Sequence, residues 1–235
     1  MELPGPAGAL EAVVNEGSAD APVAALLCHP HPLGGGTLHN KVVYHAMKAM
    51  NAPEWGLGWP VLRFNFRGTG LSQGVHDGAA EIADVQAALD WLRNEFRLPA
   101  IVAGFSFGAA MALAACCGHK PAAAVSGPAA SRPAASGPAA EIRALVAIGL
   151  PVLSGASAAN LKIYDYSFLA DCTLPKLFLS GDQDQYASPS ELMQVVAAAA
   201  PPNHLALVPG ADHFFTGRLE PMQSSLSDWL KEHVL

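Results

Sequence analysis

Gly104-Phe105-Ser106-Phe107-Gly108 follows a short apolar run, Ala100-Ile101-Val102-Ala103, and precedes a stretch of small helix formers, Ala109-Ala110-Met111-Ala112-Leu113-Ala114-Ala115. Strand, G-x-S-x-G and helix in that order describe a turn so tight that its serine is held in a strained backbone conformation. A side chain in place of either glycine would strike the neighbouring strand or helix. The strain leaves the Ser106 hydroxyl exposed at the sheet edge, above the positive end of the helix that follows. The flanking sequence agrees with a parallel sheet. Strands are expected at 23–28, 61–66, 144–149, 174–180 and 205–208, and helices at 40–50, 188–200 and 215–235. Ile82, Val85, Leu89, Leu92 and Phe96 mark the core-facing stripe of one more helix, and a hairpin around Gly5-Pro6-Ala7-Gly8 opens the chain. The fold class is therefore α/β, a mostly parallel central sheet covered by helices on both faces.

A serine hydroxyl is a weak nucleophile until a base takes its proton, and the base needs a third group to orient it. On an elbow of this kind the acid and then the histidine follow the serine along the chain. Downstream lie His119, His204, His213 and His233. His213 sits in Pro209-Gly210-Ala211-Asp212-His213-Phe214-Phe215, just after the apolar run Leu205-Ala206-Leu207-Val208. A loop leaving a strand end, with an apolar anchor behind the histidine, can carry a base over the sheet. His204 precedes that strand, at the opposite end from the serine, and the other two lie at a helix end and near the C-terminus. His213 is the candidate base. For the acid, strand 174–180 runs into Gly181-Asp182-Gln183-Asp184-Gln185-Tyr186. Asp182 occupies the immediate exit turn, where aspartate often bonds only backbone amides. Asp184, two residues on, can lean towards the histidine and is favoured.

Attack on a carbonyl also needs donors for the developing oxyanion. One is expected to be the amide of Phe107, directly after the nucleophile. The other should come from His29-Pro30-His31-Pro32-Leu33-Gly34-Gly35-Gly36, which follows the strand at 23–28. Prolines have no amide hydrogen, which leaves His31 or Leu33, with His31 favoured. This loop has rival readings. His29-x-His31 is half of a metallohydrolase ligand set, but no following Asp-His completes it, and the cysteines have no zinc spacing. The glycine run is neither G-x-G-x-x-G nor a P-loop. No metal or organic cofactor is implied.

Together these segments carry a resemblance. His29-Pro30-His31-Pro32, the glycines with Asn40-Lys41-Val42-Val43, Arg63-Phe64-Asn65-Phe66-Arg67-Gly68-Thr69-Gly70, the serine pentapeptide, Gly181-Asp182-Gln183-Asp184 and Gly210-Ala211-Asp212-His213-Phe214-Phe215 resemble one group of small bacterial serine hydrolases. The group belongs to the α/β-hydrolase superfamily and is similar to its dienelactone-hydrolase branch. The resemblance covers nearly the whole chain apart from about 20 residues after Lys120. It implies an α/β-hydrolase fold with a small cap or none, and a Ser-Asp-His triad at Ser106, Asp184 and His213. Dienelactone hydrolases proper carry a cysteine nucleophile, so their substrate does not transfer to a chain with serine.

Segment 149–172 leaves a strand at the active-site end and carries Leu150, Val152, Leu153, Tyr164, Tyr166, Phe168 and Leu169. These either wall an acyl pocket or pack against the sheet. The candidate pocket residues are Leu33, Phe105, Leu150, Tyr164, Tyr166, Phe168 and Phe214. Arg67 is read as locking its loop by hydrogen bonds, with an anion contact as the alternative. Residues 121–140 are almost wholly alanine, proline, serine and glycine, and read as a low-complexity insertion at the sheet end opposite the serine.

Composition bounds the rest. The 235 residues, 51% hydrophobic, suffice for one domain spanning 1–235. A formal charge of -7 argues against nucleic acid or an acidic membrane as partner. Cys28, Cys116, Cys117 and Cys172 show no disulfide framework, and the N-terminus lacks basic and apolar signal regions, so a cytoplasmic location is expected. The expected function is a serine hydrolase cleaving carboxylic esters, short acyl chains preferred, through an acyl-enzyme. Its substrate is a small-molecule ester or thioester. A thioesterase, a peptidase or amidase, and a non-catalytic hydrolase-fold binding protein are the alternatives.

Overall fold

A computed structural model describes residues 1–118, 141–152 and 164–235. The insertion expected at 121–140 and Leu153 lie outside them. Strands form at Glu2–Gly5 (β1), Gly8–Asn15 (β2), Ala24–Cys28 (β3), Val61–Phe64 (β4), Ala100–Phe105 (β5), Ile142–Ile148 (β6), Lys176–Gly181 (β7) and Asn203–Val208 (β8). Helices form at Lys41–Asn51 (α1), Glu81–Phe96 (α2), Phe107–Cys117 (α3), Pro189–Ala198 (α4) and Leu219–Val234 (α5). The strands make one sheet in the order β1-β2-β4-β3-β5-β6-β7-β8. The opening hairpin joins it antiparallel through β2 and β4, and every pairing from β4 onward is parallel.

Both faces of β3, β4, β5 and β7 are buried, which explains why they read as continuous apolar runs rather than alternating ones. In β3, Ala24, Leu26 and Cys28 face one core and Ala25 and Leu27 the other. The first core is closed by α2, α3 and Leu192 of α4, the second by α1 and α5. Because the strands run parallel, the loops after β3, β4, β5, β6, β7 and β8 all emerge along one sheet edge. Every candidate catalytic residue stands on these loops.

Two expectations need correction. The last helix begins at Leu219, not at 215. The Asp212 carboxylate accepts the amides of Phe214 and Thr216, and Phe215 adopts φ 52°, so residues 212–216 are held as a turn. Also, Cys117 and Cys172, 55 residues apart, are joined by a disulfide with Cα atoms 5.3 Å apart. It links the last turn of α3 to the short 3-10 helix Ser167–Asp171 packed against it. No spacing in the sequence could disclose that juxtaposition. Cysteine usage therefore no longer argues for a reducing compartment. Among the described residues, no helix is long and apolar enough to cross a membrane.

Candidate active site

Ser106 lies between β5 and α3 with φ 55° and ψ -120°, a backbone conformation that costs a non-glycine residue free energy. A Cβ on Gly104 would fall less than 3.0 Å from backbone atoms of Gly108, and one on Gly108 equally close to the carbonyls of Cys28 and His29. The pentapeptide is thus pressed on one side by its own helix and on the other by the end of β3. Its register is fixed by the Ser106 amide, which donates to the Ile148 carbonyl at 2.8 Å. Within α3 the Ser106 carbonyl already accepts Ala109 and Ala110 at 2.9 and 3.2 Å. The Phe107 amide opens the helix, where intrahelical acceptors are lacking.

The histidine reaches the serine from the opposite side. His213 Nε2 is 3.0 Å from Ser106 Oγ, and its Nδ1 lies 2.8 and 3.0 Å from the two oxygens of Asp184. Asp184 is buried and also accepts the Ser180 hydroxyl at 3.1 Å and the Tyr186 amide at 2.8 Å. A carboxylate surrounded by donors fixes the ring so that Nδ1 carries the proton and Nε2 presents a lone pair to the hydroxyl. Asp182, by contrast, is exposed and accepts the Gly210 amide at 2.7 Å, bracing the loop that carries the histidine. Gly149, with φ +54°, makes room for the ring. A Cβ there would stand 3.2 Å from His213 Cε1 and 3.0 Å from Phe105.

The loop after β3 brings His31 against the residue that follows Ser106, with the His31 and Phe107 ring centroids 4.9 Å apart. The Leu33 amide donates to His31 Nδ1 at 3.2 Å, so of the two backbone donors considered it is already engaged. His29 is no ligand. It is fully buried, its Nε2 accepts the Phe66 amide at 3.0 Å and its Nδ1 donates to the Pro30 carbonyl at 2.6 Å. Burial lowers its pKa to about 4, so it is a neutral brace between the ends of β3 and β4. Among the described residues, no group of three or more His, Cys, Asp or Glu side chains converges as a metal site.

The candidate pocket residues divide. Leu33 and Phe214 are exposed at the site's edge, at 82% and 46%. Phe105 is fully buried against the His213 imidazole, centroids 5.0 Å apart, instead of facing solvent. Leu150 is buried in the core with Leu169. Tyr164, Tyr166 and Phe168 are half-buried against that core, the Tyr166 hydroxyl donating to the Pro151 carbonyl at 2.9 Å. Arg67 locks its loop, its guanidinium on Asp84 of α2 at 2.7–3.1 Å. Sequence reasoning missed Tyr186, whose ring centroid lies 4.4 Å from that of His213, and the pair of His76 Nδ1 and Glu81 Oε1 at 2.7 Å. An aromatic two residues after a candidate acid was the only signal for the first. The second had none.

The model of the X-Pro dipeptidyl-peptidase (S15) family matches residues 26–142. An uncharacterised protein of Rickettsia prowazekii is 36% identical over 96% of this chain and 86% of its own length. Among solved structures, an α/β serine hydrolase homologue from Coxiella burnetii superposes with a TM-score of 0.76 and 30% identity, over 98% of this chain and 96% of that one. The chain belongs to the α/β serine hydrolases. A serine hydrolase without lid from Xanthomonas campestris is also similar, with a TM-score of 0.75 and 28% identity over 99% of this chain and 93% of that one. As an α/β hydrolase the protein carries its antiparallel hairpin at one sheet edge and Ser106 at the end of the central strand β5.

Proposed function

We propose that this α/β hydrolase is a carboxylesterase acting on small esters through Ser106, His213 and Asp184. The observation that carries the reading is the unbroken chain Ser106 Oγ, His213 Nε2, His213 Nδ1 and Asp184, every link 3.0 Å or less. Ser106 Oγ adds to the ester carbonyl carbon while its proton passes to His213 Nε2. Asp184 holds the resulting imidazolium in place. The negative charge moves to the carbonyl oxygen, which the Phe107 and His31 amides receive. Collapse expels the alkoxide, which takes the proton from His213, and leaves Ser106 acylated. Water then adds by the same route, giving up a proton to His213, and the acid leaves as the proton returns to Ser106. A thioester would follow the same cycle with a thiolate as leaving group. Short acyl chains are favoured because, among the described residues, Leu150, Leu169 and Phe105 are buried in the core or against the imidazole and add no length to an acyl wall.

The peptidase reading has one observation in its favour, the S15 match. That match spans the loop after β3 and the elbow but stops at Ile142, before Asp184 and His213. A fluorophosphonate probe should label the wild-type protein and not Ser106→Ala, which should keep its fold and lose turnover of p-nitrophenyl acetate. Butyryl esters should outrun palmitoyl esters below the micellar range, and X-Pro p-nitroanilides should be poor substrates. Normal turnover by folded Ser106→Ala would overturn the nucleophile. Faster cleavage of the X-Pro anilide than of any ester would favour the peptidase.

A further inference from the structure

We infer that Tyr186 is a positioning residue for His213, its ring stabilising the imidazolium that forms during attack. The inference rests on the reading of His213 as general base. Three aromatic rings surround that imidazole: Tyr186 at 4.4 Å between centroids, Phe105 at 5.0 Å and Phe214 at 5.2 Å. All fall within the range at which a cation gains from the electron-rich face of a ring. Phe105 is tilted 35° and Tyr186 52° to the imidazole, whereas Phe214 stands nearly perpendicular at 86°. Tyr186 makes the nearest approach, at a tilt between those of the other two rings. A charge appearing on His213 is met by these rings in a site from which water is largely excluded, since His213 is only 2% exposed.

The ring's effect is separable from that of its backbone. The Tyr186 amide donates to Asp184 at 2.8 Å, and its carbonyl accepts the Val152 amide at 2.9 Å. Both bonds survive removal of the ring, so the carboxylate keeps its place in a side-chain variant. The other groups facing His213 are Asp184 from the loop after β7, Ser106 from the elbow and Asp212 from its own loop. The Asp212 carboxyl is held low mainly by the Thr216 amide and, least of its causes, by charge on His213. All three stay in place when only the Tyr186 ring is changed, so a difference between variants reports the ring.

The test compares wild type, Tyr186→Phe and Tyr186→Leu in two measurements: kcat/KM against pH with p-nitrophenyl acetate, and NMR titration of the His213 ring. Losing a cation-ring contact should move the His213 titration and the acid limb of the rate profile to lower pH by about half a unit. It should also lower the plateau about three- to five-fold. Tyr186→Phe should restore both values. This signature is specific, because a merely loosened base would lose rate without an acid-ward shift. A Tyr186→Leu protein with an unmoved or upward-moved limb would overturn the inference, as would Tyr186→Phe behaving like Tyr186→Leu. Tyr186→Gln serves if the leucine variant does not fold. Failure of the wild-type protein to take up fluorophosphonate at Ser106 would instead refute the underlying hydrolase reading.

Discussion

Asp182 and Asp184 stand two positions apart on one loop and do different work. Asp182 is exposed and ties down the Gly210 amide, while Asp184 is buried against the imidazole. Under the proposed mechanism Asp184→Asn presents an amide where Nδ1–H needs an acceptor, which favours the wrong tautomer. Turnover of p-nitrophenyl acetate should fall by about 10³- to 10⁴-fold with little change in Tm. Asp182→Asn should keep turnover within about three-fold and cost stability instead, since it weakens a charge-assisted bond to a backbone amide. Steady-state kinetics and melting curves on the two variants decide this, and the reverse pattern would reassign the acid. The choice between these residues was only partly legible beforehand. Loop position separates them by one turn, but which one is covered depends on where β8 delivers its own loop.

At the scale of elements, the turn after β4 is held to the first turns of α2 by Arg67 and Asp84. The Asp84 side chain is fully buried and accepts both the Arg67 guanidinium and the Arg67 amide, the latter at 3.0 Å. The Asp84 contact raises the Arg67 pKa above its ordinary value, as expected for a guanidinium committed to a carboxylate. Asp84→Ala leaves that cation partly buried without its partner, a loss of about 3–5 kcal/mol. Calorimetry should show Tm lower by roughly 6–20 °C. Activity per folded molecule should stay within a few-fold, because neither residue is among those proposed to touch the substrate. A strong loss of activity at unchanged Tm would return Arg67 to the anion-binding reading. Sequence could place Arg67 after a strand at the active-site end. It could not show the α2 carboxylate 17 residues away that consumes its charge.

For the whole molecule, His29 sets part of the pH dependence of stability. Its pKa is about 4 in the fold, lowered chiefly by burial, against 6.5 for the free side chain. Above pH 6.5 the ring is neutral whether the chain is folded or not, and the histidine's contribution is fully present. As pH falls from 6.5 towards 4, the unfolded chain takes up a proton that the folded protein refuses, and stability declines by up to about 3 kcal/mol. His29→Gln keeps an acceptor for the Phe66 amide and removes the titration. It should be less stable than wild type at pH 7, yet lose less between pH 7 and 4.5 in urea melts. Parallel curves for the two proteins would show that the buried ring does not govern this window.

The sequence by itself determined the elbow, the alternation of strand and helix and the order of serine, acid and histidine. These are local matters: a turn too tight for side chains at 104 and 108, and runs of apolar residues whose length and flanks state their element. Tertiary structure decided what joins distant segments. It set Asp184 rather than Asp182 against the imidazole, joined the Leu33 amide to the His31 ring, and paired Cys117 with Cys172 across 55 residues. It also buried Phe105, read as a pocket residue, beneath the His213 imidazole and brought Tyr186 against the same ring. The physical reason is common to all of these. Parallel strands bring six loops to one edge, and which of their side chains meet there is set by packing between chain segments, which local propensity does not encode.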